Sequence, residues 1–431
     1  MKVADPQSLP EWLAYLERLH PTTMELGLER VAEVRRRLAL DPPFPIITVG
    51  GTNGKGSTCA MLEAILHAAG YRVGCYTSPH FLEYNERVRI GKEAASDAEL
   101  CAAFATVEQV RRQRTEISLT YFEFGTLAAV ECFIEHKVEI AILEVGLGGR
   151  LDAVNAFDAD CAVVCSVDID HTEYLGATRD KIAYEKSGIF RNGRVAIFGD
   201  PDMPATIADQ AAKTGALLWR LGEQFGYAVQ GQQWNYRGPA GARNALPYPA
   251  LRGAFQLNNA SAALAALDTL RERLPVSMAA VRRGLTEVTL PGRFQVLPGR
   301  PTMILDVAHN PHAARSLAQN LAALPPARTF AVFGMLKDKD MAGVARVLDG
   351  QVDKWLVAGI KAPRGATAEE LAGVLRAQKV RGAVTTFAAP ADALRHAAKE
   401  ASENDRIIAF GSFYTVADVM RALAVRRTTA T

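Results

Sequence analysis

Charge of one sign is not in excess. The chain carries 49 Lys and Arg against 47 Asp and Glu, a formal net charge of +2. That balance removes the electrostatic case for nucleic acid or an anionic membrane surface as a partner, so an anionic ligand has to be met by local positive charge. Cysteine is sparse as well. Cys59, Cys75, Cys101, Cys132, Cys161 and Cys165 are scattered, form no Cys-x-x-Cys pair, and sit in a chain too long for a disulfide-stapled mini-fold. Several lie in apolar runs such as "DCAVVCSV", so buried, reduced thiols are expected. No apolar run approaches the ~20 residues of a membrane span. The opening "MKVADPQSLPEW" lacks an apolar core of signal-peptide type. No internal repeat or low-complexity tract stands out. The expectation is a soluble, cytoplasmic protein.

What is present is an ordinary globular balance. The 431 residues are 49% hydrophobic and 22% charged, enough for two or three domains with sizeable cores. Short β-branched-rich runs read as buried parallel strands: "PIITVG" (45–50), "RVGCYTS" (72–78), "VEIAILEVG" (138–146), "CAVVCSVDI" (161–169) and "RVAIFGD" (194–200). Between them lie helical patterns. "KGSTCAMLEAILHAAG" places Gly70 where a C-terminal cap belongs. "SDAELCAAFATVEQVRRQR" opens on a Ser96-to-Glu99 capping box. Residues 221–252, rich in Gly, Pro and aromatics, read either as short antiparallel strands or as a surface excursion. "QLNNASAALAALDTLRERL" reads as a helix, and "LPGRFQVLPGRP" (290–301) as a linker.

The alternation then restarts with "TMILDVA", "RTFAVFGM", "KWLVAG", "AVTTFAA" and "RIIAFGS", separated by helices including "TAEELAGVLRAQ" and "ADALRHAAKEAS". "RRTTAT" reads as a frayed tail. The expected fold class is α/β: a P-loop-type, doubly wound, mostly parallel sheet domain over residues 1–297, then a smaller Rossmann-like α/β domain over 298–431.

The stretch "VGGTNGKGST" (49–58) joins a buried strand to a helix, as a phosphate loop does. It departs from the common pattern, in which Gly-Lys is followed at once by Ser or Thr. Here Gly56 intervenes and Ser57 comes one place late. The context still suits an anion: glycines let backbone N–H groups converge, the helix N-terminus adds a favourable dipole, and Lys55 supplies charge. The bland alternative is a tight turn with a capping serine.

Further clusters close the other strands. In "EVGLGGRLDAVN" (144–155) Glu144 ends an apolar strand, where an acid commonly holds magnesium near phosphates, and the following glycines permit close approach by a substrate. In "SVDIDHTEYLG" (166–176) Asp168, Asp170 and His171 close the next strand, and a neutral His171 could bind a metal. In "YEKSGIF" (184–190) Lys186 either pairs with an acid or is a desolvated lysine of lowered pKa, open to carbamylation. In "LDVAHNPHA" (305–313) Asp306, His309 and Asn310 cluster before Pro311, where Asn310 also suits a helix cap.

Together "GTNGKGST", "TSPHFLEYNERVRI", "FEFGTLAA", "EVGLGGRLDAVN", "IDHTEYLG", "EKSGIF", "PGRFQ", "DVAHNP" and "GSFYT" resemble the folylpolyglutamate synthase/dihydrofolate synthase family, a branch of the Mur-type ATP-dependent amide ligases. The motifs run in order from about residue 22 to about residue 416, nearly the whole chain. The resemblance implies that ATP phosphorylates a substrate carboxylate and that the amine of L-glutamate attacks the acyl phosphate. It implies ATP contacts from Gly54, Lys55, Gly56, Ser57, Asn258, Arg293 and Asp306. It implies one Mg2+ on Ser78 and Glu144 and a second on Glu144 and His171, with Lys186 at the family's carbamylated lysine. His309 is implied near the acyl phosphate and Ser412 near glutamate. For the pterin it points to "MELGLER", to Thr120, Phe122 and Glu123, and to Leu151, Asp152 and Ala153, with Phe122 stacking on the ring and Asp152 bonding its edge. Met24 and Glu25 stand where relatives commonly show Ile and Asp.

The implied partners are small molecules (dihydropteroate, reduced folates and L-glutamate), handled by a monomer without nucleic acid or membrane. Three other readings are weighed. A monofunctional folylpolyglutamate synthase would leave dihydropteroate untouched. A cell-wall Mur-type ligase is disfavoured by the displaced Ser57 and by the lack of an obvious N-terminal domain for a uridine nucleotide. An ATP-binding regulatory module would have no use for Glu144, His171, Lys186 and "DVAHNP" together.

Overall fold

In the computed structural model of the chain, residues 6–22, 25–253 and 255–429 are described. Met24, named above within "MELGLER", lies outside them. The chain forms two compact units, Met1–Ala250 with Leu257–Val288, and Leu251–Gln256 with Thr289–Thr431.

The first unit is built on eight strands: β1 (Ile46–Gly50), β2 (Val73–Tyr76), β3 (Val88–Ile90), β4 (Glu93–Ala94), β5 (Ile140–Glu144), β6 (Cys161–Val164), β7 (Val195–Phe198) and β8 (Leu217–Arg220), in the order β4-β3-β2-β5-β1-β6-β7-β8. The strands from β2 to β8 across this order are parallel, and β3 and β4 add an antiparallel edge. β1 and β5, "IITVG" and "IAILE", are buried at every position, which is why they read as unbroken apolar runs rather than as alternation. Register aligns Val49 with Glu144 and Gly50 with Val164, so β5, β1 and β6 finish at one carboxyl edge.

Ten helices accompany them: α1 (Leu9–Leu19), α2 (Glu29–Leu38), α3 (Lys55–Ala68), α4 (Asp97–Arg111), α5 (Tyr121–Glu135), α6 (Thr172–Leu175), α7 (Arg179–Ser187), α8 (Ala205–Thr214), α9 (Phe255–Thr269) and α10 (Met278–Glu287). The Ser96–Glu99 capping box opens α4, and Gly70, at φ 94°, follows the end of α3. Residues 226–247 form short antiparallel strands, β9 (Gly226–Gln230), β10 (Gln233–Gly238) and β11 (Gly241–Pro247), in a separate three-stranded sheet.

The second unit holds β12 (Gln295–Leu297), β13 (Thr302–Leu305), β14 (Thr329–Phe333), β15 (Lys354–Ala358), β16 (Ala383–Phe387) and β17 (Arg406–Phe410), in the order β12-β13-β17-β14-β15-β16. All are parallel except β12. The helices α11 (Pro311–Ala322), α12 (Met341–Leu348), α13 (Ala368–Ala377), α14 (Pro390–Glu400) and α15 (Phe413–Thr429) connect and follow them.

Three expectations change. The stretch read as a linker contains β12, whose three residues pair with β13. The strand read over 161–169 stops at Val164, because Ser166 and the residues after it bond to the loop beyond β1 instead of to a neighbouring strand. The tail read as frayed is helical through Thr429.

Candidate active site

The loop after β1 owes its shape to glycine. Gly51 and Gly54 have φ of 142° and 91°, conformations that a side chain resists. Gly54 is also the N-cap of α3, and a Cβ there would lie 2.5 Å from Asn259 Oδ1 on α9. No serine caps this helix, so the tight-turn alternative loses its cap. The first-turn N–H groups of any helix lack intrahelical partners and point at whatever lies beyond the N-terminus. Lys55 Nζ donates to its own loop, to Gly51 O at 3.0 Å and Thr52 O at 3.4 Å. A phosphate offers it a charged acceptor in place of those carbonyls. Ser57 is buried in the first turn, while the Thr58 hydroxyl lies 3.2 Å from Cys165 Sγ and faces the protein.

The loop crest is stapled to the segment after β6. Thr52 N donates to Ser166 O at 2.8 Å, Asn53 N to Ser166 Oγ at 3.1 Å, and the Thr52 hydroxyl to Asp168 O at 3.0 Å. Nothing in the sequence signalled Ser166. The Asp168 and Asp170 carboxylates accept from the next backbone N–H groups, those of Ile169 and His171. His171, at φ 51°, opens α6 in a left-handed conformation unusual for a non-glycine residue.

Glu144, 4% exposed at the end of β5, accepts the backbone N–H of Ser78 on Oε2 at 3.0 Å. The two residues named for one Mg2+ thus meet at the carboxyl edge although 66 positions apart. Among the described residues no three His, Cys, Asp or Glu side chains converge on a metal-ready cluster.

Lys186 lies in α7, 4% exposed. Burial first, and then the neighbouring Lys55 charge, lower its pKa to about 7. An amine titrating there is in part neutral at pH 7, whereas an ordinary lysine is fully charged. The glycines of 146–149 correct one expectation. The close approach they permit is taken by protein atoms. A Cβ on Gly146 would stand 2.7 Å from the Phe122 ring, and one on Gly149 would stand 2.9 Å from the Glu185 and Lys186 carbonyls.

The residues read as pterin contacts have structural partners of their own. Thr120 caps α5 and Glu123 closes the capping box, Oε2 accepting Thr120 N at 2.7 Å. Glu123 also pairs with Arg30 at 3.1 Å. The half-buried Phe122 ring sits 5.7 Å from that of Tyr76. Asp152 is 3% exposed and accepts Leu147 N at 2.8 Å and Val154 N at 3.1 Å. Burial outweighs those bonds and raises its pKa to about 7. Leu151 is half-buried and Ala153 buried beside it. On α9, Asn258 Oδ1 accepts the Tyr227 hydroxyl at 3.0 Å.

In the second unit Asp306 directly follows β13 and Ser412 follows β17, its parallel neighbour, so both stand at one carboxyl edge. Asp306 accepts Phe294 N and Ala308 N, each at 2.8 Å, and burial raises its pKa despite them. The Arg293 guanidinium lies 5.2 Å over the Phe413 ring. His309 Nδ1 is 2.7 Å from Val307 O. A carbonyl only accepts, so Nδ1 is the donor in this contact. Ser412, buried, accepts Tyr414 N on Oγ at 3.2 Å. Asn310 caps α11 ahead of Pro311, as expected.

Two family models match this chain: the Mur ligase middle domain over residues 49–267 and the Mur ligase glutamate ligase domain over residues 292–413. The chain is 47% identical over 421 residues to the dihydrofolate synthase/folylpolyglutamate synthase of Escherichia coli (strain K12), covering 97% of this chain and 96% of that one. Among solved structures it is similar to E. coli FolC in complex with DHPP and ADP, with a TM-score of 0.92 and 47% identity over 98% of this chain and 99% of that one. It is equally similar to the bifunctional folylpolyglutamate synthase/dihydrofolate synthase of Yersinia pestis c092 complexed with AMPPNP and Mn ion, with a TM-score of 0.91 and 47% identity over 98% of this chain and 100% of that one.

Proposed function

The chain belongs to the Mur ligase family, in its dihydrofolate synthase/folylpolyglutamate synthase branch, and we propose that it ligates L-glutamate to 7,8-dihydropteroate and to reduced folates at the cost of ATP. The observation that carries the reading is the meeting, at one carboxyl edge, of the glycine loop with Lys55 and the Ser78–Glu144 pair, with the buried Lys186 close enough to Lys55 to feel its charge.

In the first step a substrate carboxylate oxygen attacks the γ-phosphorus, and ADP leaves with the electrons of the broken P–O bond. In the second, the neutral amine of L-glutamate attacks the acyl carbon, inorganic phosphate leaves, and the amine's extra proton is lost. Gly54, Lys55, Gly56 and Ser57 hold the phosphates through N–H groups, charge and hydroxyl. Asn258, Arg293 and Asp306 hold the rest of the nucleotide. Mg2+, held by Ser78 and Glu144 at one position and by Glu144 and His171 at the other, would neutralise phosphoryl charge. Neutral Lys186 adds CO2 and releases a proton, placing a carbamate anion beside that charge. His309 serves near the acyl phosphate and the incoming amine, and Ser412 bonds the incoming glutamate. Phe122 faces the flat pterin, with Thr120, Glu123, Leu151, Asp152 and Ala153 shaping its edge.

The larger N-terminal domain therefore takes the ATP phosphates and the pterin, and the smaller one contributes Asp306 to the nucleotide and takes glutamate. Among the described residues no helix is long and apolar enough to cross a membrane. The proposed compartment is the cytoplasm, where ATP is supplied and six free cysteines stay reduced. One chain carries every proposed residue, so a monomer suffices. The test is Glu144→Ala in a metal-dependent ADP-release assay. A ligase loses turnover, and unchanged turnover would overturn the reading.

A further inference from the structure

The three-stranded sheet β9–β11 has no part in the roles assigned so far, yet it is fastened to α9 at two points. Tyr236 Oη donates to Asp268 Oδ2 at 2.8 Å, and Arg243 pairs with Asp268 Oδ1 at 2.6 Å, around a fully buried carboxylate. Ten residues earlier, about 15 Å back along the helix, the Tyr227 hydroxyl donates to Asn258 Oδ1 at 3.0 Å. Tyr227 is more than a third exposed, but its ring is held edge-on to buried Trp234, with centroids 6.2 Å apart at 89°. The next residue on α9, Asn259, packs against Gly54 of the phosphate loop. Asn258 is therefore a half-buried amide one residue from the phosphate cradle, with its oxygen marked by a tyrosine hydroxyl.

We infer that Tyr227 is a positioning residue for purine recognition, acting through the orientation it gives the Asn258 side-chain amide. The inference rests on the nucleotide contact proposed for Asn258. An amide oxygen has two lone pairs, and Tyr227 engages one. The second lone pair and the NH2 group remain, one acceptor beside two donors. That pair of functions matches the N6 amino group and N7 of adenine. Guanine presents two acceptors, O6 and N7, along the same edge. Fixing which end of the amide is oxygen thus favours adenine over guanine, and it gives the sheet a reason to be bolted to this helix.

The experiment is steady-state kinetics of the full chain with ATP and with GTP, the other substrates saturating, for Tyr227→Phe, Asn258→Ala, the double variant, and Tyr248→Phe. Tyr248 directly follows β11, its hydroxyl 3.5 Å from Gly231 O between β9 and β10, and serves as the control. Tyr227→Phe should raise the KM for ATP about three- to tenfold, with kcat within about twofold, and lower the ATP-over-GTP preference by a similar factor. Asn258→Ala should do at least as much, and the double variant no more than Asn258→Ala alone. Tyr248→Phe should change none of these.

Additive effects in the double variant would overturn the inference. So would a Tyr227→Phe that lowers Tm and kcat but leaves KM and base preference intact, since that is a merely structural role. If Asn258→Ala leaves KM for ATP unchanged, the nucleotide contact of Asn258 itself fails, which is a different failure from an inert Tyr227→Phe beside an impaired Asn258→Ala.

Discussion

The backbone N–H of Ser78 donates to Glu144 Oε2 at 3.0 Å, joining the end of β5 to the segment beyond β2. That bond brings Ser78 to the same carboxyl edge as Glu144, the edge from which the glycine loop leaves β1. The division of labour between the two serines follows. Ser78→Ala should raise the Mg2+ concentration for half-maximal activity roughly tenfold. Ser57→Ala should instead raise the KM for ATP and leave the Mg2+ requirement in place. Glu144→Gln should lower kcat about a hundredfold or more. Metal titrations of the three variants check this, and a Mg2+ defect in Ser57→Ala without one in Ser78→Ala would reverse the assignment.

The carbamate proposed for Lys186 would tie activity to CO2. With its pKa lowered to about 7 by burial, the amine is mostly neutral above that pH and can add CO2. Enzyme in CO2-free buffer should lose activity, bicarbonate should restore it, and Lys186→Met should be inactive with or without bicarbonate. Stability gives a second readout. Between about 7 and the ordinary 10.5 the unfolded chain binds the extra proton, so unmodified protein should gain stability as pH rises through that window. Lys186→Met should lack this slope and melt higher at pH 7, because a buried amine has been replaced by an apolar chain.

Asp152 has the opposite sign. Its folded pKa is raised from 3.8 to about 7 by burial. The folded state therefore holds the proton more tightly, and this contribution to stability is present below about 4 and lost as pH rises through about 7. Asp152→Asn should flatten the pH dependence of Tm between those limits. It should also raise the KM for dihydropteroate more than that for ATP.

Thr120→Ala breaks the capping box that sets the first turn of α5 and hence Phe122. The expected loss is about 1 kcal/mol, a fall in Tm of about 2–4 °C. The KM for the pterin substrate should rise while the KM for ATP stays within about twofold. Parallel kinetics with both substrates check this.

Much of the edge was legible because its signals are local. A buried β-branched run, a glycine loop and a helix start occupy residues 45–68 in unbroken order. The Ser96–Glu99 box and the Asn310–Pro311 start are each spelled within four residues. The losses have physical causes. β3, β4 and β12 are two or three residues long and carry no periodic signal. The staple from Thr52 to Ser166 spans 114 positions, and no local pattern announces it. The glycines at 146 and 149 were read as room for a substrate, whereas Phe122 and the carbonyls of α7 fill that room. Thr120, Glu123 and Asp152 were read only as ligand contacts, and their capping and loop-closing bonds emerged from the fold.

The most direct test of the central claim is ADP release by the purified full chain with ATP, Mg2+ and L-glutamate, given either dihydropteroate or tetrahydrofolate. Release that needs glutamate and proceeds with each pterin substrate is the predicted result. Release with tetrahydrofolate alone would mark a monofunctional folylpolyglutamate synthase, and equal ATP turnover without either substrate would contradict the ligase account.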